Sequence, residues 1–256
     1  MTAIRKFACL CGVFGVLGSA AVLAEVHSTI EFESGETRPV TIAVLPAQVN
    51  LIKQRMIRRE AQVEEAGELE AHLANAVANE LAGKQYDVNL ITADQINADA
   101  DLQALVVDAN SRYDEVLGNM ARRFRKKIED REFDTGDVMT LLASRLGVDA
   151  VAFVRMDLIA NAAGVQALNF GMGGAQTMMT VSLIDGSTTD VEAYITLPIM
   201  RRGRMFGGYD DVMNNPDEEM ANYARATLDD LVVAEPSLRV QSSNDDVLAD
   251  LDALLD

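Results

Sequence analysis

Ala150-Val151-Ala152-Phe153-Val154 is the stretch that decides the fold. It is apolar at every position, and a strand without a polar side has no face to offer water. Valine and phenylalanine suit a pleated, packed surface. The run therefore predicts a strand at the centre of a sheet. Just upstream, Asp137 opens a helix with Val138, Leu141, Leu142 and Leu146 on one side, and Gly147 stops it.

The same alternation of helix and strand extends toward the amino terminus. Asp94 is placed to cap a helical region running to about Phe133, and Asp87 to Thr92 reads as a strand. Before that strand, Leu69, Leu73, Ala76, Val77 and Leu81 fall on one helix face, with Gly83 at the C-cap position. This long helical region is expected to begin soon after Val40-Thr41-Ile42-Ala43-Val44-Leu45-Pro46, a buried strand bounded by Pro39 and Pro46. The order β-α-β-α-β implies parallel pairing through right-handed crossovers. Glu25 to Arg38 is polar and weakly alternating, an arm or an edge strand.

Beyond the central strand the pattern changes. A Gly-, Ala- and Asn-rich loop from about Ala160 to Gln176 precedes Thr177–Asp185, where Met179, Val181 and Leu183 alternate with Thr180 and Ser182. Asp185-Gly186-Ser187-Thr188-Thr189 supplies turn chemistry, and Val191, Ala193, Ile195, Leu197 and Ile199 mark one face of the next strand. The two strands read as a hairpin added antiparallel to the sheet. After an Arg- and Gly-rich loop, Asn215-Pro216 starts a helix whose buried face is Met220, Ala224, Thr227, Leu228 and Leu231. The expected class is α/β: a β-α-β-α-β core in two or three layers, an added hairpin and a C-terminal packing helix. The expected divisions are a leader over 1–24, an arm over 25–38, one domain over 39–236, and an acidic linker and tail over 237–256.

The leader carries Arg5 and Lys6, an uncharged stretch from Phe7 to Ala24, and small residues at Val22 and Ala24 that suit a signal-peptidase site. Cleavage after Ala24 would place the protein in the periplasm. The alternative is an uncleaved anchor in the inner membrane, facing the periplasm, which would be the chain's one route to a membrane. Cys9 and Cys11, the only cysteines, lie in this segment and precede most of its apolar run, unlike a lipoprotein signal. Removing Arg5 and Lys6 takes the net charge from −18 to −20. Such a surface repels nucleic acid, whose binding depends on neutralising phosphates.

Catalytic chemistry is thinly supplied. The histidines are His27, in the arm, and His72, at the edge of the Leu69–Leu81 stripe; His72 is expected to be structural or merely exposed. Asn97-Ala98-Asp99-Ala100-Asp101 lacks the Gly and Glu of an EF-hand loop and reads as an acidic helix start. Gly171-Met172-Gly173-Gly174 leads toward a strand and has no P-loop lysine, so it does not read as a phosphate cradle. No cofactor, metal site or catalytic residue is expected.

Three basic clusters stand against the acidic background: Lys53, Arg55, Arg58 and Arg59; Arg122, Arg123, Arg125, Lys126 and Lys127; Arg201, Arg202 and Arg204. The first two are expected on helices. Salt-bridge lacing is the simpler reading. The alternative is a docking face for an acidic partner or a second copy of this chain. In the tail, Val247, Leu248, Leu251, Leu254 and Leu255 fall on one side of a short helix opposite Asp246, Asp250 and Asp256. A helix so short needs a groove to hold it.

"TIAVLP", "LGVDAVAFVRM" and "MTVSLIDGSTTDVEAYITL" together resemble a bacterial envelope superfamily. Its members include the amino-terminal domain of the Tol-Pal translocation protein, the curli-secretion channel protein and lipoprotein activators of penicillin-binding proteins. The pattern is most similar to that of proteobacterial lipoproteins with a Gly-rich loop ahead of the hairpin. This chain departs from them in lacking a lipobox cysteine and the usual Thr-Gly turn. The resemblance implies a binding or assembly module without shared catalytic residues.

The expected function is that of an exported, non-enzymatic accessory or assembly protein of the cell envelope, acting on an envelope protein or on itself. The candidate contact residues are Arg122, Arg123, Arg125, Val247, Leu248, Leu251, Leu254 and Leu255. The alternative is a small-ligand or glycan-binding module using the Gly-rich and Arg-Gly loops. A carboxylate-dependent hydrolase comes third.

Overall fold

The computed structural model describes residues 24–54, 59–129, 133–161, 176–197 and 209–234, with backbone alone for 119–129, 161 and 176. β1 (Glu25–Ser28) leads into α1 (Ile30–Ser34) and then β2 (Thr41–Val44). Pro46 has no N–H to give a ladder. Pairing lapses there and resumes as β3 (Gln48–Gln54), which pairs antiparallel with β4 (Arg59–Ala61). Next come α2 (Val63–Gly83), β5 (Asp87–Leu90), α3 (Ala93–Asn97), α4 (Ala100–Glu129) and α5 (Asp137–Leu146). β6 (Ala150–Asn161), β7 (Gln176–Asp185), β8 (Val191–Leu197), α6 (Tyr209–Asn214) and α7 (Pro216–Leu228) complete the described elements.

The strands form one mixed sheet in the order β1-β8-β7-β6-β2-β5. β2 lies parallel to both β5 and β6, as the β-α-β-α-β order requires. The twelve-residue β6 carries two partners along one side: β2 against Ala150–Ala152 and β3 against Arg155–Asn161. On its other side the β7–β8 hairpin adds antiparallel strands, and β1 joins as an edge strand against β8.

Helices cover both faces, so the architecture has three layers. On one face Leu69, Leu73, Val77 and Leu81 of α2 and Met220, Tyr223, Ala224 and Leu228 of α7 pack on Ile42, Val44, Ala152, Val181 and Ile195. On the other, Val106 and Tyr113 of α4 and Met139 and Leu142 of α5 pack on Ala43, Val151 and Phe153. Fully burying each large apolar side chain is worth about 1.5–3 kcal/mol, which is why the stripes decide where the helices sit.

The start of the sheet is tied by polar contacts. Asp149 Oδ2 accepts the N–H groups of Val40 and Thr41, both at 2.9 Å. Gly186 packs so closely that a Cβ there would lie 2.4 Å from Ala143 Cβ, and its N–H reaches the Asp149 carbonyl at 2.8 Å. Between β7 and β8 the register slips, because Leu183 faces Ala193 while Ile184 faces Val191. Glu192 is the extra residue, and the bulge turns its carboxylate toward Thr29 and Thr37, whose hydroxyls it accepts. Thr29 caps α1 by accepting the N–H of Phe32 at 3.1 Å.

Several sequence expectations need correction. The stretch after Pro46 is not helical until Val63: Gln48–Ala61 holds β3 and β4, because Val49 and Leu51 alternate and face Met156 and Leu158 of β6. Lys53 and Arg59 therefore sit on strands, whereas Arg55 and Arg58 lie outside the described residues. Leu141 is 57 % exposed, and the buried stripe of α5 is Met139, Leu142 and Ala143. The bulge puts Val191 on the opposite face from Ala193 and Ile195. Thr92, not Asp94, caps α3 in a capping box with Gln95. Gly83 is the last residue of α2, Lys84 takes the C-cap, and Gln85 adopts the positive φ of 70°. Asn215 makes no side-chain cap bond at α7. The acidic stretch around Asp99 does start a helix: its Oδ1 accepts the N–H groups of Asp101 and Leu102 at 3.1 Å each.

Candidate functional site

Past Phe153 the pattern of β6 changes. Arg155 and Asp157 alternate with Met156 and Leu158, so one face of the strand turns polar while the other stays apolar. The pairing carries that switch across the sheet. Gln48, Arg155, Thr180, Thr196 and Glu25 stand opposite one another in a single row over β3, β6, β7, β8 and β1. A second row begins with Asn50, Asp157 and Met178. Both rows lie on the face that α4 covers only in part.

α4 meets the sheet where the apolar part ends. The Tyr113 ring stacks on Phe153 with centroids 4.5 Å apart, and its hydroxyl shares a 2.7 Å hydrogen bond with Ser182. Asn110, Asp114 and Leu117 fall on the same helix side at spacings of three and four. Arg155 Nη2 donates to Asn110 Oδ1 at 3.0 Å and to Asp114 Oδ1 at 2.9 Å, and its guanidinium lies 5.3 Å from the Tyr113 ring centroid. Gln48 donates to the same Asn110 oxygen at 3.3 Å, and Asn50 to Asp157 at 3.1 Å. The Arg155 side chain is 14 % exposed, so helix and polar sheet are joined by an arginine held on three sides.

Beside this junction runs an open groove of about 880 Å³. The polar row supplies its floor, Asp114 and Leu117 line its α4 side, and Met156, Met178 and Tyr194 give apolar contact. Its lining carries four carboxylates, Glu25, Glu70, Asp114 and Asp157, against the one guanidinium of Arg155. Burial raises the Glu70 carboxyl above its ordinary pKa, opposed by the Val49 N–H and by Arg155. Burial also pushes the Tyr113 phenol up to about 12. Thr180 is only 4 % exposed, and its Oγ1 makes no hydrogen bond. It lies near enough to the Tyr113 hydroxyl to favour the phenolate slightly, but Ser182 holds that hydroxyl's bond.

Arg122, Arg123 and Arg125 belong to the backbone course of α4, and their side chains lie outside the described residues. Val247, Leu248, Leu251, Leu254 and Leu255 lie outside them too, as do Gly171–Gly174 and Arg201–Arg204. His72 Nδ1 lies 2.6 Å from Asp217 Oδ1 and ties α2 to α7. Lys53 Nζ sits 3.6 Å from the Tyr209 ring centroid, an internal contact between β3 and α6. The sequence signal for this polar face is the alternation of Arg155 and Asp157 directly after an unbroken apolar run.

Among the described residues no helix is long and apolar enough to cross a membrane, and no group of three or more His, Cys, Asp or Glu residues could hold a metal ion. No protein-family model matches the chain, and no curated protein matches its sequence significantly. Among solved structures it is similar to the PelC dodecamer from Paraburkholderia phytofirmans, at 13 % identity over 80 % of this chain and 95 % of that one, with a TM-score of 0.36. A Leu-to-Met variant of the same PelC gives 14 % identity, 80 % and 97 % coverage and a TM-score of 0.38. A likeness this distant says nothing of what this chain binds.

Proposed function

We propose that this chain is an exported, non-enzymatic accessory protein of the bacterial cell envelope that works through protein contacts, and that the groove beside α4 is its contact site. The observation that carries the reading is the half-covered sheet face. α4 seals the apolar part as far as Tyr113 and Phe153, and among the described residues the polar rows beyond it line an open groove. An arginine held by Asn110, Asp114 and Tyr113 gives that face a fixed shape. Rigid polar floors of this kind suit recognition, since little ordering has to accompany binding. Export rests on the leader, whose proposed cleavage point after Ala24 falls immediately before β1.

The test is site-specific crosslinking in the intact envelope. A photoreactive residue in place of Met178, 41 % exposed at the groove, should capture one discrete protein. The same residue in place of Val107, 61 % exposed on α4 and away from the groove, should not. Capture from Val107 with none from Met178 would move the contact site elsewhere.

A second reading has one observation in its favour. A volume of about 880 Å³ falls among those of small-molecule sites, so a small ligand or glycan fits the same groove. Native protein that releases a bound small molecule on denaturation would favour it.

A further inference from the structure

We infer that the acidic tail, residues 245–256, folds back as a short helix onto the last twelve residues of α4, 118–129, of its own chain. This surface lies beyond the groove and does not depend on what the groove binds. Three observations carry it.

The first is where α4 goes. Leu117 lines the groove together with Tyr194 and Thr196 of β8 and Glu25 of β1, so by that residue the helix has reached the last strands of the sheet. Its backbone continues to Glu129, about 18 Å further at the helical rise. Among the described residues no strand lies outside β1 to run beneath this stretch. Yet the apolar spacing persists. Met120, Phe124 and Ile128 extend the buried series Leu102, Val106, Ala109, Tyr113 and Val116.

The second is charge. Arg122, Arg123, Arg125, Lys126 and Lys127 put five of the chain's 22 basic residues within six positions, on a protein whose net charge is −18. Helical salt bridges do not account for them all, because Arg122 and Arg123 have no Asp or Glu three or four positions away in either direction. In the tail, Leu248, Leu251, Leu254 and Leu255 share one helix side, with Asp250 on one flank and Asp252 on the other. Arg123 and Arg125 flank the position of Phe124 in the same way. The two stretches match in length and apolar stripe and are opposite in charge.

The third is where the tail departs. Lys84 Nζ donates to the carbonyls of Asp229 and Leu231, both at 2.8 Å, and the Tyr86 hydroxyl donates to that of Val232 at 3.0 Å. Arg38 Nη1 donates to the Val233 carbonyl at 2.8 Å, and Ala234 gives its N–H to the Lys84 carbonyl at 2.9 Å. The chain is therefore held as far as Ala234, beside α1, whose Glu33 carbonyl takes Arg38 Nη2 at 2.7 Å. Thr29, at the head of α1, gives its N–H to Glu192, and Val191 gives its own to Phe133, four residues after α4 ends. Exit and helix end are both fastened to the β1–β8 edge. Residues 235–244 can span about 33–36 Å, several strand spacings. So short a tether keeps the tail at roughly millimolar effective concentration, which the tail of a second copy would have to match.

The test measures a distance in solution. The exported chain from Glu25 has no native cysteine, so Asn119→Cys and Ala253→Cys place one spin label on α4 and one in the tail, each off its apolar stripe. Pulsed electron paramagnetic resonance should give a narrow distance peak below about 30 Å, as for two packed helices of this length. Dilution with unlabelled chain should leave the peak in place. Arg123→Glu with Arg125→Glu should abolish it, and adding Asp250→Arg with Asp252→Arg should restore it, which a mere loss of fold would not allow. Arg59→Glu, on β4, should leave it unchanged. A broad distribution in the parent chain, a narrow peak that survives reversal of the arginines, or one that the swap fails to restore overturns the inference. A narrow peak that vanishes on dilution overturns it as well, because the tail then lies on a second copy.

Discussion

Thr41 and Asp149 hold one another in a reciprocal pair. The Asp149 carboxylate accepts the Thr41 N–H at 2.9 Å, and the Thr41 hydroxyl accepts the Asp149 N–H at 2.9 Å. The pair fixes the first residue of β2 against the turn that feeds β6, and so sets the parallel register on which the rest of the sheet is built. Replacing Asp149 with Ala removes an acceptor shared by two backbone donors. The expected cost is about 3 kcal/mol, since hydrogen bonds to charged groups are the stronger class. Urea unfolding measures it; a loss below about 1 kcal/mol would mean that water replaces the carboxylate without penalty.

Gly186 offers a test of packing at the far end of the hairpin. Gly186→Ala would drive a methyl into Ala143, and overpacking of this kind costs about 1–3 kcal/mol. Ala143→Gly in the same chain should recover part of that loss despite its own helix penalty of about 1 kcal/mol. Additive effects of the two changes would show that the close approach is not what destabilises.

Tyr113 and Ser182 form a buried hydroxyl pair between α4 and β7. Either single change, Tyr113→Phe or Ser182→Ala, strands a polar atom and should cost about 1–3 kcal/mol. The double variant should be less destabilised than the sum of the two. A double-mutant cycle with no coupling energy would remove the pair from the account of how α4 is held.

Glu70 gives the fold a pH dependence with a definite sign. Burial raises its folded pKa above the ordinary 4.5, so folding favours the protonated acid. Its contribution to stability is therefore full below the ordinary pKa and is lost as the pH rises through the raised one. Glu70→Gln keeps the acceptor for the Val49 N–H and removes the charge. It should be more stable than the parent at pH 7, with the gap closing toward pH 4. Urea titrations of both proteins at the two pH values decide it, and a gap that widened on acidification would reverse the sign.

Export makes a prediction about mass. Protein recovered from the native envelope should begin at Glu25, which leaves all four residues of β1 in place. Intact-mass measurement of a full-length, membrane-retained species would support the anchor instead.

Local pattern was enough for much of the fold. The apolar run at Ala150–Val154, the stripe from Leu69 to Leu81 and the alternation in Thr177–Asp185 each carry their period in neighbouring residues, so the strands, helices and parallel order could be read from them. The capping box at Thr92 and Gln95 is equally local, set three residues apart in the sequence. What the sequence could not decide depends on partners far along the chain. Val49 and Leu51 are strand residues because Met156 and Leu158, more than a hundred positions later, offer them a ladder and a buried face. Glu192 turns inward because a bulge against Leu183 and Ile184 inserts one extra residue. The groove is the strongest case. Gln48, Arg155, Thr180, Thr196 and Glu25 come from five strands scattered between positions 25 and 196, and become neighbours only through interstrand register. Register is set by hydrogen bonds between chains of residues that do not adjoin in sequence, so a site laid across strands has no signature of its own until the sheet forms.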